Sequence, residues 1–322
     1  MTLHRLLSAA TVALALLAAG CSAPGTSPIA PGGGQLPSAP RAPLARQLGR
    51  PVPHAGKNYV YVADAFANTV WIFPAGASDP SPVGSITTGL SGPEGVAVDA
   101  AGNLYVANTS NNSVTIYPPG SSAPSLTLTK DLVTPSAVAV DSKGNVWVSN
   151  QLGSYEGSVV EFPAGQTTPS TIISGINPLG VAVDSKRNLY VENYNASKAF
   201  VSVYPPGQTS PSQEFGASDL LEPLGIIVGP TGDVYVSDYY YNKLFIYAAK
   251  SYKLRSSNFY EIGGMLGLTL AKNKRLFIGE GSNNVVNEIS KRGFGKLLAD
   301  RLFDSLSSSF GVAADPAVAP GP

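Results

Sequence analysis

Short apolar runs separated by polar, Gly- and Pro-rich breaks recur along the chain at a spacing too regular for chance. In the stretch Gly92–Gly120 the runs are Val96–Val98, Leu104–Ala107 and Val114–Tyr117, each β-branched or aromatic and bounded by Gly, Asn or Pro. That pattern predicts strands separated by turns. A fourth run, Leu126–Leu128, completes a four-stranded antiparallel meander. Between the first two runs stands Asp99-Ala-Ala-Gly102-Asn103, in which an Asp side chain accepts from the backbone ahead of it and Gly supplies a positive φ, so a tight hairpin is predicted. The turn returns as Asp141–Asn145 and as Asp184–Asn188, where Arg187 replaces the glycine. A non-Gly residue held at positive φ costs roughly 1 kcal/mol. Pro118-Pro119 ends the third run, because proline has no N–H to donate.

The unit repeats. Its first-strand motif ends at Gly95, Ala137, Gly180, Gly225, Gly267 and Gly311, in steps of 42 to 45 residues. The aromatic of the second strand falls independently at Tyr61, Tyr105, Trp147, Tyr190, Tyr235 and Phe277, with the same range of steps. Four strands in such a period make the blade of a β-propeller. The two series are offset: the chain opens on a second strand at Asn58–Ala63 and finishes on a first strand, Phe310–Asp315. Each fragment supplies what the other lacks. An all-β fold of six four-stranded blades is therefore expected, with the C-terminal strand completing the N-terminal blade and no open sheet edge left. An open solenoid is the alternative, and it gives no reason for the split.

Pro93-Glu-Gly-Val-Ala-Val-Asp99, Gly102-Asn-Leu-Tyr-Val-Ala-Asn108 and Asn112-Ser-Val resemble NHL repeats, with the bacterial YVTN repeats a near neighbour. The resemblance extends over Asn58 to Asp315 and implies a propeller. Blade six departs most, with Ala271–Arg275 in place of the Asp turn. NHL-type propellers include binding platforms and enzymes, so the resemblance implies no single activity.

The 322 residues divide further. Residues 1–20 carry a short basic start (His4, Arg5) and an apolar run, Leu6–Ala19, which reads as a secretory signal and is too short for a membrane span. Leu17-Ala-Ala-Gly20-Cys21 resembles the lipobox of bacterial lipoproteins, which implies acylation of Cys21 as first residue of the mature chain; an ordinary signal-peptidase site with an incidental cysteine is the alternative. Ser22, where Asp marks inner-membrane retention, implies the outer membrane if the organism is Gram-negative. Residues 21–56, rich in Pro, Gly and Ala, read as a tether. Residues 57–316 are the expected propeller and 317–322 a frayed tail. Cys21 is the single cysteine, so no disulfide is expected within the chain. The 21 basic and 21 acidic residues balance, which argues against nucleic acid as a partner.

Two sets of loops open on one face of such a ring. Before the first strands stand Glu94, Ser136, Leu179, Leu224, Leu266 and Phe310, a mostly apolar set that suits a greasy funnel. At the ends of the second strands stand Asp64, Asn108, Asn150, Asn193, Asp238 and Glu280. Either these hold Ca²⁺ or another divalent metal, with Glu94, Asp64, Asp238 and Glu280 as ligand candidates, or they accept backbone hydrogen bonds that tie down the hairpins. Asn68, Asn112, Asn242 and Asn284, each four residues on, fit the second reading. Propeller hydrolases of the gluconolactonase type place a Glu just before a first strand, as Glu94 stands here, but no acid occupies the matching loops. Amidating and streptogramin lyases use histidines, and here His4 and His54 both precede the blades. No catalytic residue is assigned; no cofactor is expected unless a divalent metal binds. Tyr155, Tyr194, Tyr239, Tyr240 and Tyr241 after the second strands either offer rigid amphipathic contact area for a protein, peptide or glycan or in part fold back onto neighbouring blades. The expectation is a lipid-anchored, non-catalytic binding or scaffold module, with a metal-dependent hydrolase or lyase using the funnel as the alternative.

Overall fold

The computed structural model describes residues 52, 59–75, 81–152, 156–195, 198–259, 264–271, 275–280, 285–289 and 311–315. Cys21, Tyr155, Asn284 and Phe310, with the signal, the tail and all of the tether but Val52, lie outside them. The apolar runs form strands where the alternation places them. In the second blade these are Pro93–Val98, Leu104–Asn108, Ser113–Tyr117 and Leu126–Leu128, ordered in sequence from the axis outward. Blades three, four and five repeat this order, and blade six shows three strands among the described residues.

Ring closure follows the split repeat. The C-terminal strand Val312–Asp315 pairs antiparallel with Tyr59–Asp64, setting Val312 opposite Val62 and Ala314 opposite Val60. The Ala63 amide adds a hydrogen bond to the Gly311 carbonyl, 2.9 Å. The six innermost strands then touch one another in an unbroken circle. The fold is a six-bladed β-propeller.

The core lies between blades rather than inside any one of them. Six clusters of buried apolar residues each bridge two neighbours, and the one joining blade six to blade one packs Phe277 and Val286 against Val60, Trp71 and Val312. Seams this close leave no room for a large side chain at the small position of each first strand. A Cβ on Gly95 would stand 2.6 Å from the Ala137 Cα and 2.7 Å from the Ser136 carbonyl, which explains the small residue in this motif.

The Asp turns form as the sequence predicts. Asp99 accepts from the amides of Ala101 and Asn103 at 2.9 and 2.8 Å, and Gly102 sits at φ 86°. Asp141 and Asp184 repeat the arrangement, and Arg187 takes the left-handed conformation at φ 66°. One expectation changes. Tyr194 is not in a loop: the second strand of blade four runs on to Asn195 and pairs there with Lys198, because both partners continue the ladder.

Candidate functional site

Each first strand of blades two to six carries a register shift just after its opening residue, such as between Pro93 and Val96 or between Pro223 and Gly225. A bulge re-aims the side chain at that place. Here it brings Glu94, Ser136, Leu179, Leu224 and Leu266 to the wall of one axial cavity of about 290 Å³, joined by Glu222. Three leucines make its middle apolar. The funnel is as greasy as the sequence implies, but two carboxylates stand in it. Glu94 comes from blade two and Glu222 from blade five, three blades apart in a ring of six and therefore on opposite sides of the axis.

Burial pushes the Glu94 carboxyl from 4.5 up to about 7, against a hydrogen bond from the Thr109 hydroxyl that pulls it down. Such a group gains or loses its proton near neutral pH. Glu222 is also raised, by burial first and by the charge of Asp238 second. Tyr239, beside Glu222 on the cavity wall, is raised by burial and then by that carboxylate.

Of the six polar side chains at the ends of the second strands, Asp64, Asn108, Asn150 and Asp238 accept loop amides. Asp64 accepts from the Ala67 amide at 3.1 Å, and Asn108 from the Ser91 amide at 3.1 Å. Asn150 accepts from the Val133 amide at 3.0 Å and donates to the Asp131 carbonyl at 2.8 Å. Asp238 accepts three backbone amides, those of Leu221, Glu222 and Tyr241. Asn193 donates to the Val191 carbonyl, and Glu280 accepts from the Asn287 side chain at 3.0 Å. Asp64, Glu94, Asp238 and Glu280 belong to four different blades, and no three His, Cys, Asp or Glu among the described residues form a metal-holding group.

The asparagines four residues on do something the sequence does not show. Asn68, Asn112 and Asn242 sit at φ 48°, 55° and 50°, and each aims its side-chain carbonyl at the next blade. The acceptors take the amides of Gly92, Thr134 and Gly264, all at 2.7 Å. Asn suits both demands, since it tolerates the left-handed region and presents a short acceptor. These are stitches across seams, where ties within a hairpin were expected.

The tyrosines divide. Tyr239 folds back over Gly264 of blade six, and Tyr194 is half buried against the apolar layer between blades four and five. Tyr240 and Tyr241 stay out, 64% and 40% exposed, their rings edge to face at 5.4 Å with Lys243 over the Tyr241 ring. Phe66, Leu152 and Val133 are exposed on loops of the same face.

Sequence reasoning missed Glu192 and Glu222. Glu192 is wholly buried between blades four and five, its carboxylate filling the place a side chain on Gly180 would take, against Ile226. Neither of its oxygens has a hydrogen-bond partner. Burial, and then the charge of Asp238, hold its pKa well above the carboxylate range. The signal was present in the repeat: at this register the other blades have Ala63, Ala107, Ser149, Ser237 and Gly279.

Residues 90–117, the second blade through its third strand, match the family model of the NHL repeat. The matched segment is similar to an NHL repeat. Both the Asp99 turn and the Asn112 stitch lie inside it, so the segment that matches includes residues that hold the blade and its seam. Among solved structures, a chain of a nidogen/laminin complex superposes with a TM-score of 0.67 at 15% identity, covering 82% of this chain and 99% of that one. A protein of unknown function from Bacteroides caccae gives 0.60 at 13% identity, covering 80% and 99%. At such identities the likeness shows the fold. No curated protein matches the sequence.

Proposed function

We propose that the protein is a non-catalytic binding platform for another protein, engaged through the face on which the funnel opens. One observation carries this: of the exposed large apolar residues among those described, Phe66, Val133, Leu152, Tyr240 and Tyr241 lie on loops of that face, on blades one, three and five, whereas Val83, Ile172 and Leu254 lie elsewhere. Aromatic rings presented on a rigid scaffold lose little entropy on contact, which favours recognition. The fold has a precedent in a chain taken from a complex of two proteins, nidogen with laminin. The platform is exported and held to the cell envelope by lipid on Cys21; the signal-like start and the single cysteine at its end support this.

The test is photo-crosslinking in the source cell. A photoreactive phenylalanine placed at Tyr240 is expected to give a discrete adduct, and one at Lys250, in the turn beyond the third strand at the opposite end of blade five, is not. Adducts from both positions alike, or from neither, would refute the rim as an interface. Labelled fatty acid is expected on the full chain and absent from Cys21→Ser; equal labelling of the two would refute the anchor.

A further inference from the structure

The axial cavity has a one-sided electrostatic character that the rim does not share. Among its described lining residues stand two carboxylates, Glu94 and Glu222, and not one Lys, Arg or His. They approach from opposite sides of the axis, in a wall that also carries Leu179, Leu224 and Leu266. A third carboxylate, Glu192, lies directly behind the wall at Gly180 and Ile226, both lining residues, and is fully buried with no partner for either oxygen. Two half-buried acids beside a fully buried, unanswered third are a poor arrangement for the empty protein. Burying charge without a counter-charge is costly, so each of these groups resists ionisation, and together they favour the arrival of a cation.

The kind of cation follows from the rest of the lining. A hard metal ion needs several oxygen ligands at once, and no such group forms among the described residues. An alkyl chain ending in an ammonium group places its carbons against leucine and its charge between carboxylates. A volume near 290 Å³ admits a small molecule or a single side chain and nothing larger.

We propose that the axial cavity binds an organic ammonium ion, its charge answered by the Glu94 and Glu222 carboxylates and its apolar chain lying against the three leucines. This does not depend on the rim reading, since it concerns a different set of residues and a different ligand. Because Glu94 is half protonated near pH 7, cation binding drives its proton off.

Isothermal titration of the full chain with n-butylammonium, in two buffers of different ionisation enthalpy, tests this. Saturable binding is expected with release of about half a proton at pH 7, falling toward none by about pH 9. Butanol and butyrate, matched in size, are expected not to bind. The Glu94→Gln/Glu222→Gln variant, shown folded by its urea transition, is expected to lose at least about tenfold in affinity. Tighter binding of Nα-acetyl-lysine methylamide than of butylammonium would assign the charge to a protein side chain, and the reverse to a free amine; both support the site. No heat with either amine, equal binding of butanol, undiminished affinity in the double variant, or a response to Ca²⁺ alone would each overturn it.

Discussion

Replacing Glu94 by Gln removes one ionisation from the wall of the funnel while keeping the side chain's size, and the effect on stability has a definite sign. The folded chain holds the Glu94 proton up to about pH 7, whereas the unfolded chain gives it up around 4.5. Between those values the folded state binds more protons, so this residue's contribution to stability falls as pH rises and is fully lost above 7. A difference of about 2.5 in pKa corresponds to about 3 kcal/mol, an upper figure because the cavity is open to water at its mouth. Urea unfolding of both proteins from pH 4 to 9 measures it. The variant is expected to match the parent at pH 4 and to exceed it by up to about 3 kcal/mol above pH 7, with Tm higher by roughly 6 °C. Glu192 and Glu222 titrate in the same direction in both proteins, so their slopes cancel in the comparison. A difference that stays constant from pH 4 to 9 would refute the claim that burial in the funnel raises the Glu94 carboxyl.

The stitches between blades are tested by a pair of changes at Asn112. Asn112→Gly loses only the hydrogen bond to Thr134, about 1 kcal/mol, whereas Asn112→Ala adds left-handed strain and is expected to cost about 2 kcal/mol in chemical unfolding; equal costs would disprove the backbone part. Glu192→Ser installs the residue that blades three and five use, where Ser237 donates to the Leu266 carbonyl at 2.6 Å, and is expected to raise Tm above pH 7; a lower Tm there would show that the carboxylate has a partner it needs. A chain ending at Ser309 lacks the strand that covers Tyr59–Asp64 and is expected to aggregate, with a synthetic peptide of residues 310–316 restoring a monomer in size-exclusion chromatography. A soluble, cooperatively melting truncated monomer would contradict the role given to closure.

The fold was legible because each of its determinants is repeated. One Asp turn is weak evidence, but Asp99, Asp141 and Asp184 at matching phase, with an aromatic at the same place in every second strand, leave little freedom. Closure was legible from an absence at each end. What escaped notice arises between blades, where sequence neighbours say nothing. Asn112 reads as a hairpin residue because its own blade is all the sequence offers for context; the amide it meets is 22 residues away on the next sheet. Glu222 reads as a loop residue until the ring places it opposite Glu94. Tyr194 was misassigned because nothing local marks where a ladder between two extended partners stops.

The pairing of Val312 with Val62 joins points 250 residues apart in a chain made from one end. The strand that fastens the first sheet is made some 250 residues after it, so the circle stays open until Val312–Asp315 has been translated. Closing so long a loop from a disordered chain costs roughly 5 kcal/mol in entropy, yet sheets already stacked side by side hold the two termini near each other beforehand. Assembly thus has an order in time, sheets early and latch late, and the molecule cannot become a finished toroid before Val312–Asp315 exists.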